Sequence, residues 1–301
     1  MSEGFLFMKN TKIAKFALAS TFVVWGSVGI FVKYIPLNSG LIALDRSIVG
    51  MLFLILVKLI TKSMFDFSAI RKSLPLLCIY GALLGFNWIL LFESYNFTSV
   101  AISTICYNIG PIFVMLFSPI VFKEKLTVFK MICILSALFG IVCVSGVFEQ
   151  GMVSAKDLIG ILLGLFAAAL YAVTVMINKK IDKVDATDKA ITQFFSSAVV
   201  MFVYSLFVTN RGELSFSVTT IVLLLVVGVL HTGVAYTVYF KTLPFVTSQN
   251  VAVFAYIDPV VACVLSALVL KEELSFFVIL GAVVIIVSAI FSELCDNKQK
   301  N

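Results

Sequence analysis

Ten stretches of this chain, each near the length of a membrane span and almost free of charge, follow one another with only short polar breaks. They lie at about 13–34, 38–61, 73–95, 98–122, 126–147, 157–178, 188–209, 217–240, 247–270 and 274–293. A helix rises 1.5 Å per residue, so roughly 20 apolar residues cross the ~30 Å hydrocarbon layer. Continuous apolar runs, without the alternation of a membrane barrel, favour helices over strands. Composition points the same way: 61% of the 301 residues are hydrophobic, 13% are charged and the mean hydropathy is +1.12. A soluble domain carries about 25% charged residues, and no water-soluble core hides this much apolar side chain. The expectation is an all-α integral membrane protein of ten transmembrane helices. The start, "MSEGFLFMKNTKIAKF", lacks a basic head, short apolar core and small-residue cleavage site, so no cleaved signal peptide is expected. The six cysteines form no C-x-x-C pair and read as small buried hydrophobes.

The net charge of +6 is a topology signal rather than a nucleic-acid footprint. With a cytoplasmic N-terminus, 17 lysines and arginines fall on the cytoplasmic side, against four outside (Lys33, Lys156, Arg211 and Lys271) and Arg46 within a span. The positive-inside rule therefore places both termini in the cytoplasm. A shift of 148 residues lays Phe92 to Thr127 over Phe240 to Ser275 without a gap, matching Pro111 with Pro259, Ser118 with Ser266, Lys123 with Lys271, Glu124 with Glu272 and Leu126 with Leu274. Each half, 1–149 and 150–301, holds five spans, an odd number, so the second copy must enter the membrane inverted. Inverted repeats are a mark of alternating-access transporters, whose sites lie near the midplane between the copies.

Ten spans in two halves, the tryptophan–glycine of "VVWGS", the arginine of "ALDRSIVG" and a proline followed by K-E-x-L closing the fourth and ninth spans resemble the EamA-type drug/metabolite transporters over nearly the whole chain. The resemblance implies a 5+5 inverted bundle that moves a small metabolite or drug across a prokaryotic plasma membrane. It names no substrate, because such transporters include exporters of amino acids and of related metabolites. Glu93 and Asp258 depart from the commoner uncharged pattern.

Asp258 lies near the middle of the ninth span, beside Pro259. The proline removes one donor and disfavours helix at the preceding residue, so free carbonyls are expected there. A charge at that depth costs about 2.5–3.5 kcal/mol on insertion scales, so such a residue either serves substrate or proton or hydrogen-bonds to neighbouring helices. Its repeat counterpart is Gly110, so the fold itself does not require a carboxylate. His231, the only histidine, is either a proton relay or an interhelical hydrogen-bonding group; alone it makes no metal site. Glu93 either acts functionally or reaches the headgroups. Arg46 braces the bundle or neutralises a carboxylate, or it binds substrate. Trp25, Trp88, Tyr107, Tyr171, Tyr236 and Tyr256 sit within spans and are either cavity wall or packing, with Asn87 and Asn108 adding donors and acceptors. Pro111 and Pro259 are candidate hinges. The Gly81/Gly85 and Gly160/Gly164 steps read as close helix contacts.

No nucleotide-binding loop and no catalytic constellation is present in the sequence, so a secondary transporter is favoured over an ATP-driven pump or an intramembrane enzyme. A channel or a signalling scaffold is the alternative. Expected partners are a small-molecule substrate, amino-acid-like or amphipathic and cationic, together with lipid and a coupling proton. No cofactor, metal or nucleic acid is expected, the chain acting as a monomer or homodimer and exporting rather than importing. The topology is directly testable. In a cysteine-free background a thiol introduced at Lys271 should label from outside the cell, and one at Lys123 only after permeabilisation; equal labelling from one side would overturn the inverted arrangement.

Overall fold

A computed structural model describes residues 11–298 except 123–127, 146, 151, 182, 210–216, 247–250, 252 and 253. Lys123, Glu124 and Leu126 of the first K-E-x-L lie outside the described residues. Among the described residues every regular element is helical. In chain order these are α1 (Thr11–Lys33), α2 (Ser39–Ile60), α3 (Phe67–Phe97), α4 (Val100–Tyr107), α5 (Gly110–Phe122), α6 (Val128–Val144), α7 (Val147–Gln150), α8 (Ala155–Asn178), α9 (Ala186–Val208), α10 (Val218–Leu225), α11 (Ala235–Thr242), α12 (Ile257–Leu265) and α13 (Phe276–Lys298). Two π-helical turns, Val226–Val234 and Ser266–Leu270, continue α10 and α12.

Seven helical segments are long and apolar enough to cross a membrane, and three shorter apolar ones, Met131–Val144, Ile257–Leu270 and Phe276–Phe291, fall where the fifth, ninth and tenth stretches were expected. Polar residues at the breaks start the helices. Asn38, Asp66, Ser99, Ser154, Asp185 and Ser217 each accept a hydrogen bond from a first-turn amide, which satisfies donors that lipid could not. The third helix begins at Phe67, six residues earlier than its apolar run, and carries Pro75 inside it. At 31 residues α3 is longer than the hydrocarbon is thick, so its first two turns belong to the interface, where water can serve the carbonyl that the proline leaves unpaired.

The antiparallel pair α2 and α9 is tied at three depths. Asn38 Nδ2 donates to Thr209 Oγ1 (2.9 Å) at one end, Ser47 Oγ meets Ser197 Oγ (2.8 Å) in the middle, and Lys58 pairs with Asp188 at the other end. Around this pair α3 packs on α8 and α9, α1 packs on α11 and α12, α4 and α5 pack on α8, and α6 packs on α13. The close steps are glycines. A Cβ on Gly81 would lie 2.2 Å from the Gln193 carbonyl oxygen, and one on Gly160 2.6 Å from Thr98 Cγ2, so the contacts of α3 with α9 and of α8 with the break between α3 and α4 need the bare backbone. Cys106, Cys133 and Cys143 are buried as expected of small hydrophobes, but Cys78 is exposed on α3: its side of the helix looks out from the bundle, where lipid makes an apolar thiol acceptable.

Lys58, one of the 17 basic residues counted on the cytoplasmic side, is almost fully buried. Its ammonium also donates to the Met64 carbonyl (3.0 Å) and stands 4.4 Å over the Phe65 ring, while Asp188 accepts from the Asp66 amide (3.2 Å). The pair thus fixes the turn between α2 and α3 against the start of α9. Removing one partner strands a buried charge, at a cost of about 3–5 kcal/mol, whereas replacing both with apolar residues costs far less. Lys58→Met should therefore lower the thermal unfolding temperature in detergent more than Lys58→Met/Asp188→Leu does. Additive losses in the double variant would contradict this account.

Candidate functional site

Two breaks set the geometry of the interior. The fourth span is interrupted between Tyr107 and Gly110, and the ninth at Tyr256, 148 residues after Asn108. In each case the break lies three residues before the proline, which occupies the first turn of the following helix, a position where its missing amide and fixed φ are tolerated. Asn108 closes α4 by turning its amide back to the Thr104 carbonyl (2.9 Å). On the other side Asp258 stands in the first turn of α12.

The backbone of Asp258 packs directly on α1. A Cβ added to Gly26 would come within 2.5 Å of the Asp258 carbonyl oxygen and 2.8 Å of Val261 Cβ, so the glycine of the tryptophan–glycine pair is what admits α12 here. The Asp258 side chain is half-buried and has no hydrogen bond or ion pair among the described residues. It lies within electrostatic reach of Tyr95 and Tyr107.

Arg46 reaches the same two tyrosines from α2, and Tyr236 from the next turn of the eighth span. It is 5% exposed, and its guanidinium lies 4.1 Å from the Trp88 ring centroid and 5.4 Å from that of Phe92. Nε donates to Thr232 Oγ1 (3.0 Å), which in turn donates to the Val227 carbonyl (3.1 Å), five residues back in the π-helical turn. That turn is what brings Thr232 round to face α2, in keeping with π-bulges at functional positions. Asp45 does not pair with Arg46; its Oδ2 is buried without a hydrogen-bond partner, and the side chain lies against Gly228.

A chain of rings connects the remaining candidates. Trp25 meets Tyr236 (5.2 Å between centroids), Tyr236 meets Phe194 (5.2 Å), and Phe194 meets Trp88 (5.8 Å). Tyr107 meets Tyr171 (5.8 Å) and donates to Asn87 Oδ1 (3.4 Å), whose Nδ2 donates to the Ala167 carbonyl (2.6 Å). Tyr171, at 38% exposed, forms the outer part of this wall, whereas Tyr256 is buried within the cluster formed by α4, α5, α6 and α13.

His231 and Glu93 are placed differently. His231 is fully buried; Nδ1 stands 3.2 Å from the Val226 carbonyl and Nε2 2.9 Å from Ser27 Oγ, whose single hydroxyl proton also has the Val24 carbonyl within reach (2.8 Å). With Trp25 Nε1 donating to the His231 carbonyl (2.9 Å), the histidine sews α1 to the eighth span. Glu93 accepts from Ser39 Oγ (2.8 Å) and Asn96 Nδ2 (3.4 Å), holding α3 to the start of α2.

Sequence reasoning passed over Tyr95, Thr232, Asp188 and Glu272. Tyr95 is 2% exposed beside Arg46, and Thr232 acquires its role only through the π turn. Glu272, read as half of a repeated motif, accepts from the amides of Val100 (3.0 Å) and Ala101 (3.5 Å) and from the Ser266 hydroxyl, so it caps α4 across the two halves of the chain. The repeat had matched Glu272 with Glu124 and Ser266 with Ser118, without showing that Glu272 and Ser266 meet each other. Among the described residues no group of three His, Cys, Asp or Glu is placed to bind a metal ion. An apolar cleft of about 350 Å³ between α5 and α8, lined by Phe117, Ile120, Val173 and Met176, shares none of the charged residues of this cluster.

The model of the EamA-like transporter family matches residues 12–146 and 158–294. The chain is similar to the uncharacterized transporter YxxF of Bacillus subtilis (strain 168), with 26% identity over 92% of this chain and 88% of that one. An uncharacterized transporter of Archaeoglobus fulgidus is 23% identical over 89% of this chain and 93% of its own length. A protein of known crystal structure shares the fold at a TM-score of 0.64 and 14% identity, covering 96% of this chain and 99% of that one.

The fit at Gly26 yields a clear expectation. Gly26→Ala pushes a methyl against a backbone carbonyl, which cannot turn aside, and overpacking of this kind costs about 1–3 kcal/mol. At Gly164 the nearest atom is Cys106 Cβ at 3.1 Å, so Gly164→Ala should cost much less. Unfolding temperatures in detergent that fall equally for the two variants would contradict the contact.

Proposed function

The chain belongs to the EamA-like transporter family, and from that premise we propose that it is a secondary active transporter of a small amino-acid-like or amphipathic cationic metabolite. It works by alternating access, exports rather than imports, and couples the step to protons. Its ten spans form two inverted five-helix repeats, 1–149 and 150–301, in the plasma membrane with both termini in the cytoplasm. The packing supports this reading. Exchanging the halves by the 148-residue shift turns α1 on α12 into α8 on α5, and α3 on α9 into the eighth span on α2, while the α2–α9 and α6–α13 pairs map onto themselves.

One observation carries the proposal: Asp258, a carboxylate at a helix break inside the bundle, has no partner among the described residues although it costs free energy to keep there. It binds the cationic group of the substrate or the coupling proton, with Tyr107, Trp25, Trp88 and Tyr236 as the wall. Pro111 and Pro259, just beyond the two breaks, let the fourth and ninth spans swing as the cavity opens first to one side and then to the other.

Sealed vesicles containing purified protein test this with a metabolite panel and an imposed pH gradient. Asp258→Asn keeps size and most hydrogen bonding and should fold normally, yet abolish gradient-driven flux. Counterflow exchange then separates the roles: a proton site leaves exchange intact, a substrate site does not. Gradient-driven flux by the Asn variant equal to wild type would remove Asp258 from the mechanism.

A further inference from the structure

We infer that Arg46 is the anchor for a carboxylate of the transported solute, so that the site takes a zwitterion, with its ammonium toward Asp258 and its carboxylate toward Arg46. The inference rests on the transport reading of the same interior and adds the half of the substrate that Asp258 cannot recognise.

A buried arginine without an acid is the observation that needs explaining. Arg46 forms an ion pair with neither the neighbouring Asp45 nor Asp258 among the described residues. Stacking on Trp88 occupies a face of the guanidinium, and Thr232 takes only Nε. The terminal nitrogens have no hydrogen-bond acceptor among the described residues, although the side chain is 5% exposed. That edge is the fork which binds a carboxylate through two parallel hydrogen bonds, and the stacked ring holds its plane fixed beforehand.

Placement supplies the second half of the argument. Arg46 and Asp258 carry opposite charges, meet two elements that adjoin each other and form no ion pair among the described residues: Arg46 Nε bonds to Thr232 of the eighth span, whose neighbour His231 contacts Ser27 of α1, and the Asp258 backbone packs on Gly26 of α1. A purely cationic solute would answer Asp258 and add a second positive charge near an uncompensated arginine; a purely anionic one would do the reverse. A zwitterion gives each buried charge a partner at once and leaves the site neutral, the arrangement with the smallest desolvation cost. The rings of Trp25, Tyr236, Phe194 and Trp88 then face whatever apolar group the solute carries.

Three compounds that differ only in charge decide the matter: leucine, leucinamide, which has the ammonium alone, and 4-methylpentanoate, which has the carboxylate alone. Binding is read without any gradient from the fluorescence of Trp25 and Trp88, the chain's two tryptophans, in protein held in nanodiscs. Leucine should bind at least about tenfold more tightly than either analogue, the minimum expected for one charge-assisted hydrogen bond. Arg46→Gln should erase the preference for leucine over leucinamide, with leucinamide binding at least as tightly as to wild type once the neighbouring positive charge is gone, and Arg46→Lys should keep part of the preference, which separates a lost contact from a misfolded protein. Leucinamide binding as tightly as leucine, a preference that survives in Arg46→Gln, or no binding of any of the three would overturn the inference. Its fate is distinct from that of the transport reading. Leucine bound in this pattern by a protein that moves nothing would sink transport alone; transport with no carboxylate preference would sink only the role of Arg46.

Discussion

The seam between α2 and α9 is the axis about which the other packing is arranged. Two antiparallel helices joined at both ends and in the middle cannot slide or separate without breaking a buried ion pair, a buried hydroxyl pair and a part-buried hydrogen bond at once. Some of the other large contacts come in pairs related by the 148-residue shift, α1 on α12 with α8 on α5 and α3 on α9 with the eighth span on α2, and α6 with α13 maps onto itself. In an apolar solvent helices gain little from hydrophobic burial against one another, so glycine steps and interhelical hydrogen bonds have to supply the association. The contacts at Gly81, Gly160 and Gly26, and the hydroxyl pair of Ser47 and Ser197, are of these two kinds.

The interior separates charges that are satisfied from charges that are not. Lys58, Asp188 and Glu272, near the ends of spans, are each held by an opposite charge or by helix amides. Arg46 and Asp258, deeper in the bundle, are not. Charges of the first kind set the arrangement of helices, and a protein that only needed a stable bundle would have none of the second kind. The helix breaks follow the same division. Backbone irregularity at Asn108 and Tyr256 is tolerable only inside the protein, where side chains can serve the freed groups, as the Asn108 amide does for the Thr104 carbonyl.

Much of this was legible in the amino-acid sequence. The ten apolar stretches, the paired prolines and the glycine steps have local causes, namely the length needed to cross lipid, the missing amide of proline and the absence of a Cβ, and the helices, breaks and close contacts lie where these causes place them. Asp258 and the Trp25, Trp88, Tyr107 and Tyr236 rings were visible as polar and aromatic residues at mid-span depth. Their mutual placement was not visible, because neighbours such as Arg46 and Thr232 are separated by 186 residues and meet only through a π-helical turn.

Sequence alone determined that this chain is a helical membrane protein built from a repeated unit, since hydropathy and spacing are properties of the chain taken residue by residue. Tertiary structure decided which of its charges are partnered. Lys58 counted among the cytoplasmic-side basic residues and is buried in a pair; Arg46 read as a brace or a substrate-binding group and stands on a tryptophan with its terminal nitrogens unclaimed among the described residues; His231 read as a proton relay or an interhelical hydrogen-bonding group and bridges α1 and the eighth span. The physical reason is the range of the interactions. Burial in lipid acts on each segment separately, whereas the partner of a charge is fixed by distances of a few ångströms between helices far apart in the chain.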